Sequence, residues 1–301
     1  MSSGYVYFIS VRAIGRCVRD YTYRRGLQCC LFGFTGNTRA SCSGTATVQS
    51  RFFLYIYLRM IPKIIHYCWF GRKALPQNVQ NYIQTWKQHM PDWEIYEWNE
   101  DNFEIATAPI YAQQAYQVGK YAFVSDYVRL WALERLGGVY CDTDVEVLKP
   151  FDNLLDNIAF VGLEESLAHL PGTCVMGCEA HCLWVKDMLS IYDNIQFLKA
   201  DGTLDLTTNV QRMGNVLIEK GFVPSRNEQL LPIYGLKVYT HDYFSPITST
   251  RVMRKTKDTY SIHHFAGTWT NKKRNKIGNS LIYREIANFL VQVKRRLKGI
   301  K

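Results

Sequence analysis

The sequence predicts an α/β protein with a mostly parallel central sheet and helices on both faces. Short apolar runs alternate with amphipathic helical stretches from residue 60 onward, and Gly or Pro residues separate many of them. A Gly-Gly pair at 137–138 also separates a long helical pattern from a short apolar run. Strands that alternate with helices are typical of a mostly parallel sheet.

The first half of this pattern is the more regular. Pro76 opens a helical stretch with apolar residues on one face, and Pro91 ends it. A stronger helix spans Tyr121–Leu136, with an apolar stripe that includes Val124 and Val128. The predicted elements are a strand at 64–69, a helix at 78–90, a strand at 94–99, helices at 110–118 and 121–136, and a strand at 139–141.

The second half carries weaker signals. We expect helices at 183–189 and 210–220, and strands at 236–240 and 259–265. Residues 276–301 form a basic amphipathic pattern that predicts a C-terminal helix. Its clustered cations suit the C-terminal end of a helix dipole, or they suit docking on anionic lipid, and both interpretations stay open.

Residues 1–59 differ from the rest of the chain. They lack helical or strand periodicity and hold eight arginines and one aspartate, so +7 of the chain's net charge of +10 lies there. We interpret them as a disordered or non-native extension that precedes a start at Met60. A basic arm that binds anionic lipid or nucleic acid is the alternative. The catalytic domain is then expected at 60–275.

The bulk composition narrows the classes of protein. The sequence contains no run of 18 apolar residues, so it predicts no membrane-spanning helix. The nine cysteines are odd in number, which favours reduced thiols and a cytoplasmic location, peripheral to the inner membrane face if the C-terminal helix docks there. Residues 60–301 carry only +3 and contain no recognition motif, so a nucleic-acid partner is not expected.

Two carboxylates stand out in the stretch GGVYCDTDVE. Asp142 and Asp144 follow the predicted strand at 139–141, and in an extended chain residues two apart point to the same side. Ligands bind at the carboxyl ends of strands in open α/β sheets. Oxygen ligands suit Mg²⁺ or Mn²⁺, which bridge phosphate oxygens. The sequence therefore predicts a divalent metal site that holds a diphosphate.

The helix just upstream adds polar groups to the same region. Asp126 and Arg129 are three residues apart and share a face of an otherwise apolar helix, with Ser125 beside them. A structural ion pair is one interpretation. The second interpretation is that this face lines the metal pocket, because the helix leads directly into the strand before Asp142. There a carboxylate can accept hydrogen bonds from sugar hydroxyls, and a guanidinium can contact hydroxyl or phosphate oxygens.

SDYVRLWALERLGGVYCDTDVE resembles the signature of the DXD-containing glycosyltransferase family. Members include the yeast initiating α-1,6-mannosyltransferase, bacterial capsular polysaccharide and lipopolysaccharide glycosyltransferases, and the glucosyltransferase domain of clostridial toxins. The stretches IPKIIHYCWFG, NYIQTWKQHMPDWEIYEWNEDNF and HHFAGTW are similar to the same families, so the resemblance covers about residues 60–270. It implies a glycosyltransferase A type fold and retaining transfer from a nucleotide-diphosphate sugar to a glycan or lipid-linked acceptor. The implied setting is cell-surface polysaccharide biosynthesis. A UDP-sugar is favoured over GDP-mannose.

The same resemblance assigns roles to individual residues. It implies that Asp126, Arg129, Asp142 and Asp144 are catalytic and that Mn²⁺ or Mg²⁺ is held by two aspartates and one histidine. The histidine is His264 rather than its neighbour, and Asp144 is the more direct aspartate ligand. The implied donor-binding residues are Trp69, which stacks on the base, Asn102, Ser125, Tyr140, Thr268 and Trp269.

Two other patterns are weighed against this interpretation. CDTDVE also resembles the nucleophile strand of haloacid-dehalogenase-like phosphatases, with Asp201 and Asp205 as a later acidic pair, but that motif normally stands on the first strand. Cys174, Cys178 and Cys182, with His181, have the spacing of one helical face and could bind zinc. Because no paired C-x-x-C is present, we interpret them as small buried thiols.

Overall fold

The computed structural model describes residues 60–164, 169–247 and 252–266. The expectations for residues 1–59 and 276–301, and for Thr268 and Trp269, lie outside these ranges. Within the part of the chain that the structure describes, no helix combines the length and apolar character needed to cross a bilayer.

Nine strands and six α-helices make up the described fold. The helices are α1 (Gln77–His89), α2 (Ile110–Gln117), α3 (Tyr121–Leu136), α4 (Leu183–Ser190), α5 (Asn209–Glu219) and α6 (His241–Phe244). The strands are β1 (Ile64–Cys68), β2 (Glu94–Trp98), β3 (Gly138–Cys141), β4 (Val145–Val147), β5 (Ala159–Glu164), β6 (Leu170–Cys178), β7 (Gln229–Leu231), β8 (Leu236–Tyr239) and β9 (Ser261–His263). Short 3₁₀ turns lie at Ile105–Thr107, Asp152–Leu154 and Ile191–Asn194.

Seven strands form one mixed sheet in the order β2-β1-β3-β6-β5-β8-β7. The pairs β1–β2, β1–β3 and β5–β8 are parallel, whereas β6 and β7 run antiparallel to their neighbours. Five of the seven strands therefore share one direction, and the prediction of a mostly parallel sheet is confirmed. Their carboxyl ends meet at one edge, where β6 begins, so residues that follow β1, β2, β3 and β5 gather there.

Helices cover both faces of this sheet, as predicted. One hydrophobic cluster joins alternate strand residues to α2, α3, α4 and α5, and it contains Val124 and Met213. A second cluster joins the other strand residues to α1 and α6, and it contains Trp86 and Phe244. Side chains of a strand alternate between its faces, which explains why Tyr140 and Val139 fall in different clusters.

The Gly137-Gly138 pair makes the turn from α3 into β3. Gly137 has φ +64° and Gly138 has φ +98°, and both lie in the region that favours glycine. A Cβ at Gly138 would lie 2.7 Å from the Ile64 carbonyl oxygen of β1. The pair therefore lets β3 pair closely with β1 immediately after the helix. The chain reverses there, so Asp126 and Arg129 in the first half of α3 lie beside Asp142 after β3.

Three strands of the second half, β5, β6 and β7, were not expected from the sequence. β5 and β6 are buried along their whole length, so they show no alternation of polar and apolar residues. Cys174 and Cys178 belong to β6 and Cys182 lies just before α4, so the helical spacing inferred for these thiols is wrong. The five cysteines among the described residues are free and buried, as expected for small core thiols.

Candidate active site

The two aspartates lie in a turn rather than in an extended strand. β3 ends at Cys141, and the Val145 amide donates to the Asp142 carbonyl oxygen at 3.0 Å, which closes the turn. The expected extended geometry is therefore wrong, yet both carboxylates still face one site. One ligand atom each from Asp142, Asp144 and His263 lie within 4.8 Å of one another.

Arg129 links α3 to this turn. Its side chain is only 6% exposed, with Nη2 3.0 Å from Asp126 Oδ1 and Nη1 3.2 Å from Asp142 Oδ1. Nη1 also donates to the Thr173 carbonyl oxygen at 2.9 Å, and the guanidinium lies 4.4 Å from the centre of the Tyr140 ring. The two interpretations of the Asp126–Arg129 pair thus both apply, because this ion pair lies against the aspartate turn.

Tyr140 and Ser125 are held inside this arrangement. Tyr140 is buried in β3, and its hydroxyl donates to Asp142 Oδ1 at 3.0 Å. The Ser125 hydroxyl donates to the Tyr121 carbonyl oxygen one turn earlier in α3, at 3.1 Å. Tyr140 therefore orients the Asp142 carboxylate through its hydroxyl group. The Arg129 guanidinium lies over the Tyr140 ring.

The pKa values of the carboxylates reflect the crowding of charge. Burial raises the pKa of Asp142 to about 6, with a further contribution from Asp144, although Arg129 opposes the shift. Burial also raises the pKa of Asp126. For Asp144, burial acts in the same direction, but the hydrogen bond with His263 and the Ala266 amide outweigh it and lower the pKa. A charged Asp144 beside a crowded Asp142 is the electrostatic setting that a cation relieves.

The residues present fit a hard or borderline divalent cation. Two carboxylates and one imidazole nitrogen converge, and such a donor set is compatible with Mn²⁺ and Mg²⁺. Burial of two neighbouring carboxylates is costly, and the cation would offset that cost. Asp142, Asp144 and His263 are the residues placed to hold such a cation.

His263, rather than His264, is the histidine at this site. The sequence favoured His264. The structure brings His263 to the site instead, because β9 pairs with β4 and Val145 lies opposite His263. His263 Nε2 then lies 3.3 Å from Asp144 Oδ1. The next side chain points elsewhere, and His264 Nε2 lies 2.8 Å from Glu146 Oε2 while its ring stacks on Tyr82 of α1 at 4.8 Å.

The closing motif begins against the aspartate turn. The Ala266 amide donates to Asp144 Oδ2 at 2.7 Å, and the His264 amide donates to the Asp144 carbonyl oxygen at 3.0 Å. Residues 263–266 are thereby fixed to Asp144 from two sides. Thr268 and Trp269 follow two and three residues later, outside the described ranges, and their donor contacts stay predictions.

Trp69 and Asn102 lie after β1 and β2, at the same edge of the sheet. The Trp69 indole N–H donates to the Lys73 carbonyl oxygen at 2.6 Å, and the ring borders a cleft of about 490 Å³ that also touches Tyr67 and Glu97. Asn102 is exposed and holds its own loop, because it accepts from the Asn99 amide and donates to the Glu97 carbonyl oxygen. Their proposed nucleoside contacts stay predictions.

Three residues near the site were not anticipated from the sequence. Thr173 and Cys174 of β6 and Glu164 at the end of β5 lie beside Arg129 or His263. One local signal was present for Glu164, since AFVGLE is an apolar run that ends in a carboxylate, as the run before Asp142 does. Recognising it required knowing that β5 runs in the same direction as β3.

The acidic pair required by the phosphatase alternative is engaged elsewhere. Asp205 Oδ2 lies 2.7 Å from Arg212 Nη2, and the Asp201 carboxylate accepts from the amide and hydroxyl of Thr203 in a local turn. Both carboxylates therefore have structural partners of their own. The phosphatase alternative is not favoured.

Comparison with known families confirms the resemblance. Residues 76–161 match the model of the family described as glycosyltransferase sugar-binding region containing DXD motif. This range contains α3, the Gly-Gly turn and both aspartates. The helix, the turn and the two aspartates of this chain are thus similar to the sugar-binding region of that family.

Two curated relatives are mannosyltransferases. The chain is 27% identical over 159 residues to the initiation-specific alpha-1,6-mannosyltransferase of Candida albicans, which covers 49% of this chain and 40% of that protein. It is 25% identical over 114 residues to inositol phosphoceramide mannosyltransferase 1 of Schizosaccharomyces pombe, covering 35% of this chain and 34% of that protein. The matched part thus spans well under half the length of these relatives.

Solved structures to which the chain is similar include two glycosyltransferases. PaToxG glycosyltransferase is 17% identical with a TM-score of 0.42, over 54% of this chain and 71% of that one. The galactosyltransferase LgtC is 12% identical with a TM-score of 0.39, over 75% of this chain and 95% of that one.

Proposed function

We propose that this chain transfers a hexose from a nucleotide-diphosphate sugar, with retention of anomeric configuration, to a glycan or lipid-linked acceptor. The observation that carries the proposal is the convergence of Asp142, Asp144 and His263 at the carboxyl edge of the sheet. Both aspartates lie inside residues 76–161, the range that matches the DXD sugar-binding region. A role in capsular polysaccharide or lipopolysaccharide biosynthesis is the setting that we propose for it.

The donor's diphosphate would lie against the aspartate turn. A divalent cation held by Asp142, Asp144 and His263 would supply stabilisation of the negative charge that develops on the leaving diphosphate. Asp144 is the carboxylate that remains charged most readily, since its pKa is lowered. The Ala266 amide already occupies one of its oxygens, so Asp144 also couples the closing segment to this position.

Asp126 and Arg129 would act on the sugar side of the site. Asp126 is 15% exposed and uses Oδ1 toward Arg129, so its carboxylate keeps capacity to accept a hydrogen bond from a sugar hydroxyl. Arg129 is almost fully buried and divides its N–H groups among Asp126, Asp142 and the Thr173 carbonyl. We therefore assign Arg129 the role of orienting both carboxylates, in addition to the favourable charge that it places near the diphosphate.

The proposed donor is a nucleotide-diphosphate hexose. We favour a UDP-sugar. GDP-mannose is the main competitor, because the curated relatives are named as mannosyltransferases. Trp69 borders the cleft at the end of β1 and offers an aromatic face for the base. Neither purine nor pyrimidine is excluded by an aromatic platform, so the test must compare both.

The experiment is a donor screen on the full chain. Purified protein is incubated with UDP-glucose, UDP-galactose, UDP-N-acetylglucosamine and GDP-mannose, with Mn²⁺ and with a chelator, and release of nucleoside diphosphate is measured. Turnover of one donor that requires Mn²⁺ supports the proposal. Proton NMR of the released or transferred sugar then tests retention, and an inverted anomer overturns that part. Absence of turnover and of nucleotide binding by folded protein overturns the whole.

A cytoplasmic location with peripheral membrane contact completes the proposal. The buried free thiols favour a reducing compartment, and the cations of residues 276–301 favour anionic lipid. Co-sedimentation with vesicles that contain phosphatidylserine, compared with neutral vesicles, would test this. Binding that persists after removal of residues 276–301 would contradict the assignment of the contact to that segment.

A further inference from the structure

A second buried layer lies behind the aspartate turn. Glu164 ends β5, Cys174 lies in β6, and one ligand atom from each lies within 4.8 Å of the other and of a His263 nitrogen. Glu164 and Cys174 are each 3% exposed. A carboxylate buried to this extent is costly unless it has a polar partner, and His263 is the titratable ring that faces it.

The two ring nitrogens of His263 face different layers. Nε2 lies 3.3 Å from Asp144 Oδ1, on the side of the candidate metal site. Nδ1 is buried without a hydrogen bond to the residues that the structure describes, and Glu164 Oε1 lies 3.5 Å away. At that distance the Glu164 contact is an ion-pair contact rather than a formed hydrogen bond, and a small approach of the carboxylate would close it.

Glu164 is a stronger partner for Nδ1 than the neighbouring thiol. A carboxylate is an acceptor with two oxygens, whereas a thiol is a weak donor and a weak acceptor. An imidazole whose Nδ1–H is donated to a carboxylate keeps the Nε2 lone pair free for a cation. Of the two buried neighbours, Glu164 is thus the one that would define which nitrogen faces Asp144.

The sheet provides a specific slot for the Glu164 carboxylate. A Cβ at Gly172 of β6 would lie 2.3 Å from Glu164 Oε1, so any side chain at this position would displace the carboxylate. The register of β5 and β6 shifts between Val161 and Leu163, next to this slot. Gly172 therefore allows Glu164 to lie across the strand and reach toward His263.

We infer that Glu164 is a positioning residue, which accepts the Nδ1–H of His263 and thereby directs Nε2 toward Asp142 and Asp144. The inference rests on the proposed function only in requiring that this site takes a divalent cation. It assigns no contact between Glu164 and the substrate. Supporting carboxylates of this kind typically change metal affinity by about 10- to 100-fold when removed.

The test measures binding of Mn²⁺ alone, by the loss of the free-ion electron paramagnetic resonance signal on titration of the full chain. We expect Glu164→Gln to weaken Mn²⁺ binding by about 10- to 100-fold. Gly172→Ala should weaken it in the same direction, because the added methyl group displaces the carboxylate. Cys174→Ala, which removes the buried thiol beside His263, should leave Mn²⁺ affinity within about twofold, well below the effect of a supporting carboxylate.

A double-mutant comparison separates positioning from a general effect on the fold. In a His263→Ala background, Glu164→Gln should cause no further loss of Mn²⁺ affinity, because Glu164 acts through that ring. Equal losses in both backgrounds, or an unchanged affinity in Glu164→Gln with a wild-type melting temperature, would overturn the inference. So would wild-type protein that binds no Mn²⁺. Mn²⁺ binding that follows the expected pattern without donor turnover would retain the inference and overturn the proposed function.

Discussion

Arg129 Nη1 lies 3.2 Å from Asp142 Oδ1, so a residue of helix α3 directly contacts the first aspartate of the DXD turn. The same guanidinium holds Asp126 at 3.0 Å, and its side chain is only 6% exposed. One buried cation therefore compensates two carboxylates that come from different elements. The position of α3 relative to β3 is thus coupled to the geometry of the candidate metal site.

Removing this cation should destabilise the fold strongly. We expect Arg129→Met to lower the free energy of unfolding by about 3 to 5 kcal/mol, because Asp126 and Asp142 would stay buried without their partner. Urea denaturation followed by circular dichroism would measure it. Arg72→Met is the matched control, since the Arg72–Asp101 pair is largely exposed and its loss should not be measurable. Equal stabilities of the two variants would contradict this account.

Gly138→Ala should destabilise the turn into β3. Gly138 has φ +98°, and its new Cβ would lie 2.7 Å from the Ile64 carbonyl oxygen, so we expect a loss of at least about 2 kcal/mol. Gly119→Ala is the control, because Gly119 has φ +69° with no atom within 4 Å of its Cβ position. It carries only the backbone cost of about 1 kcal/mol. Urea denaturation of both variants would show whether the strand contact adds to that cost.

His66 should make the protein sensitive to mild acid. Its Nδ1 accepts from the Trp98 indole N–H and its Nε2 donates to the Gly137 carbonyl, and burial lowers its pKa to about 4. Between pH 6.5 and 4 the unfolded state therefore binds a proton that the folded state does not. The free energy of unfolding should fall over this window by up to about 3 kcal/mol.

The variant His66→Gln isolates this contribution, since an amide offers an acceptor oxygen and a donor NH₂ group but does not titrate. Denaturation at a series of pH values should show a shallower fall for the variant than for wild type between pH 6.5 and 4. Identical slopes would mean that the ring is protonated in the folded state. Above pH 6.5 the two proteins should show the same pH dependence, because His66 is then neutral in both states.

Trp69 should contribute to nucleotide binding. If the base stacks on its ring, Trp69→Ala loses about 1 to 3 kcal/mol of binding free energy, which raises the Kd by about 5- to 150-fold. Trp69→Phe should retain most of the affinity because it keeps an aromatic face. Isothermal titration with nucleoside diphosphate and Mn²⁺ would measure both. A Kd of the alanine variant equal to that of wild type would place the base elsewhere.

Much of the fold's first half could be predicted from local pattern. The helix α1 begins after Pro76 and ends before Pro91, and α3 ends at the Gly-Gly pair, because these residues limit helices through their own backbone chemistry. The strands β5 and β6 could not be predicted in this way. Both are buried on both faces, so their sequences carry no period that distinguishes a strand from a buried helix.

The part of the candidate site that comes from one local stretch could also be predicted from the sequence. Asp126, Arg129, Asp142 and Asp144 come from one continuous stretch, and the structure brings them together as the sequence indicated. The choice between His263 and His264 depends on the pairing of β9 with β4, which joins residues more than a hundred positions apart. Glu164 depends on the direction of β5 in the sheet. Such non-local pairings are not encoded in any single stretch of the chain.

The central claim is that Asp142 and Asp144 hold a cation that binds a nucleoside diphosphate. A thermal-shift titration of the full chain with UDP and with GDP, with Mn²⁺ and with chelator, tests it most directly. We predict stabilisation by one nucleotide that requires Mn²⁺, is lost in Asp144→Asn and is kept in Asp201→Asn, whose carboxylate serves only a local turn. Nucleotide stabilisation that survives both chelation and Asp144→Asn, or no stabilisation of a folded sample, would contradict the claim.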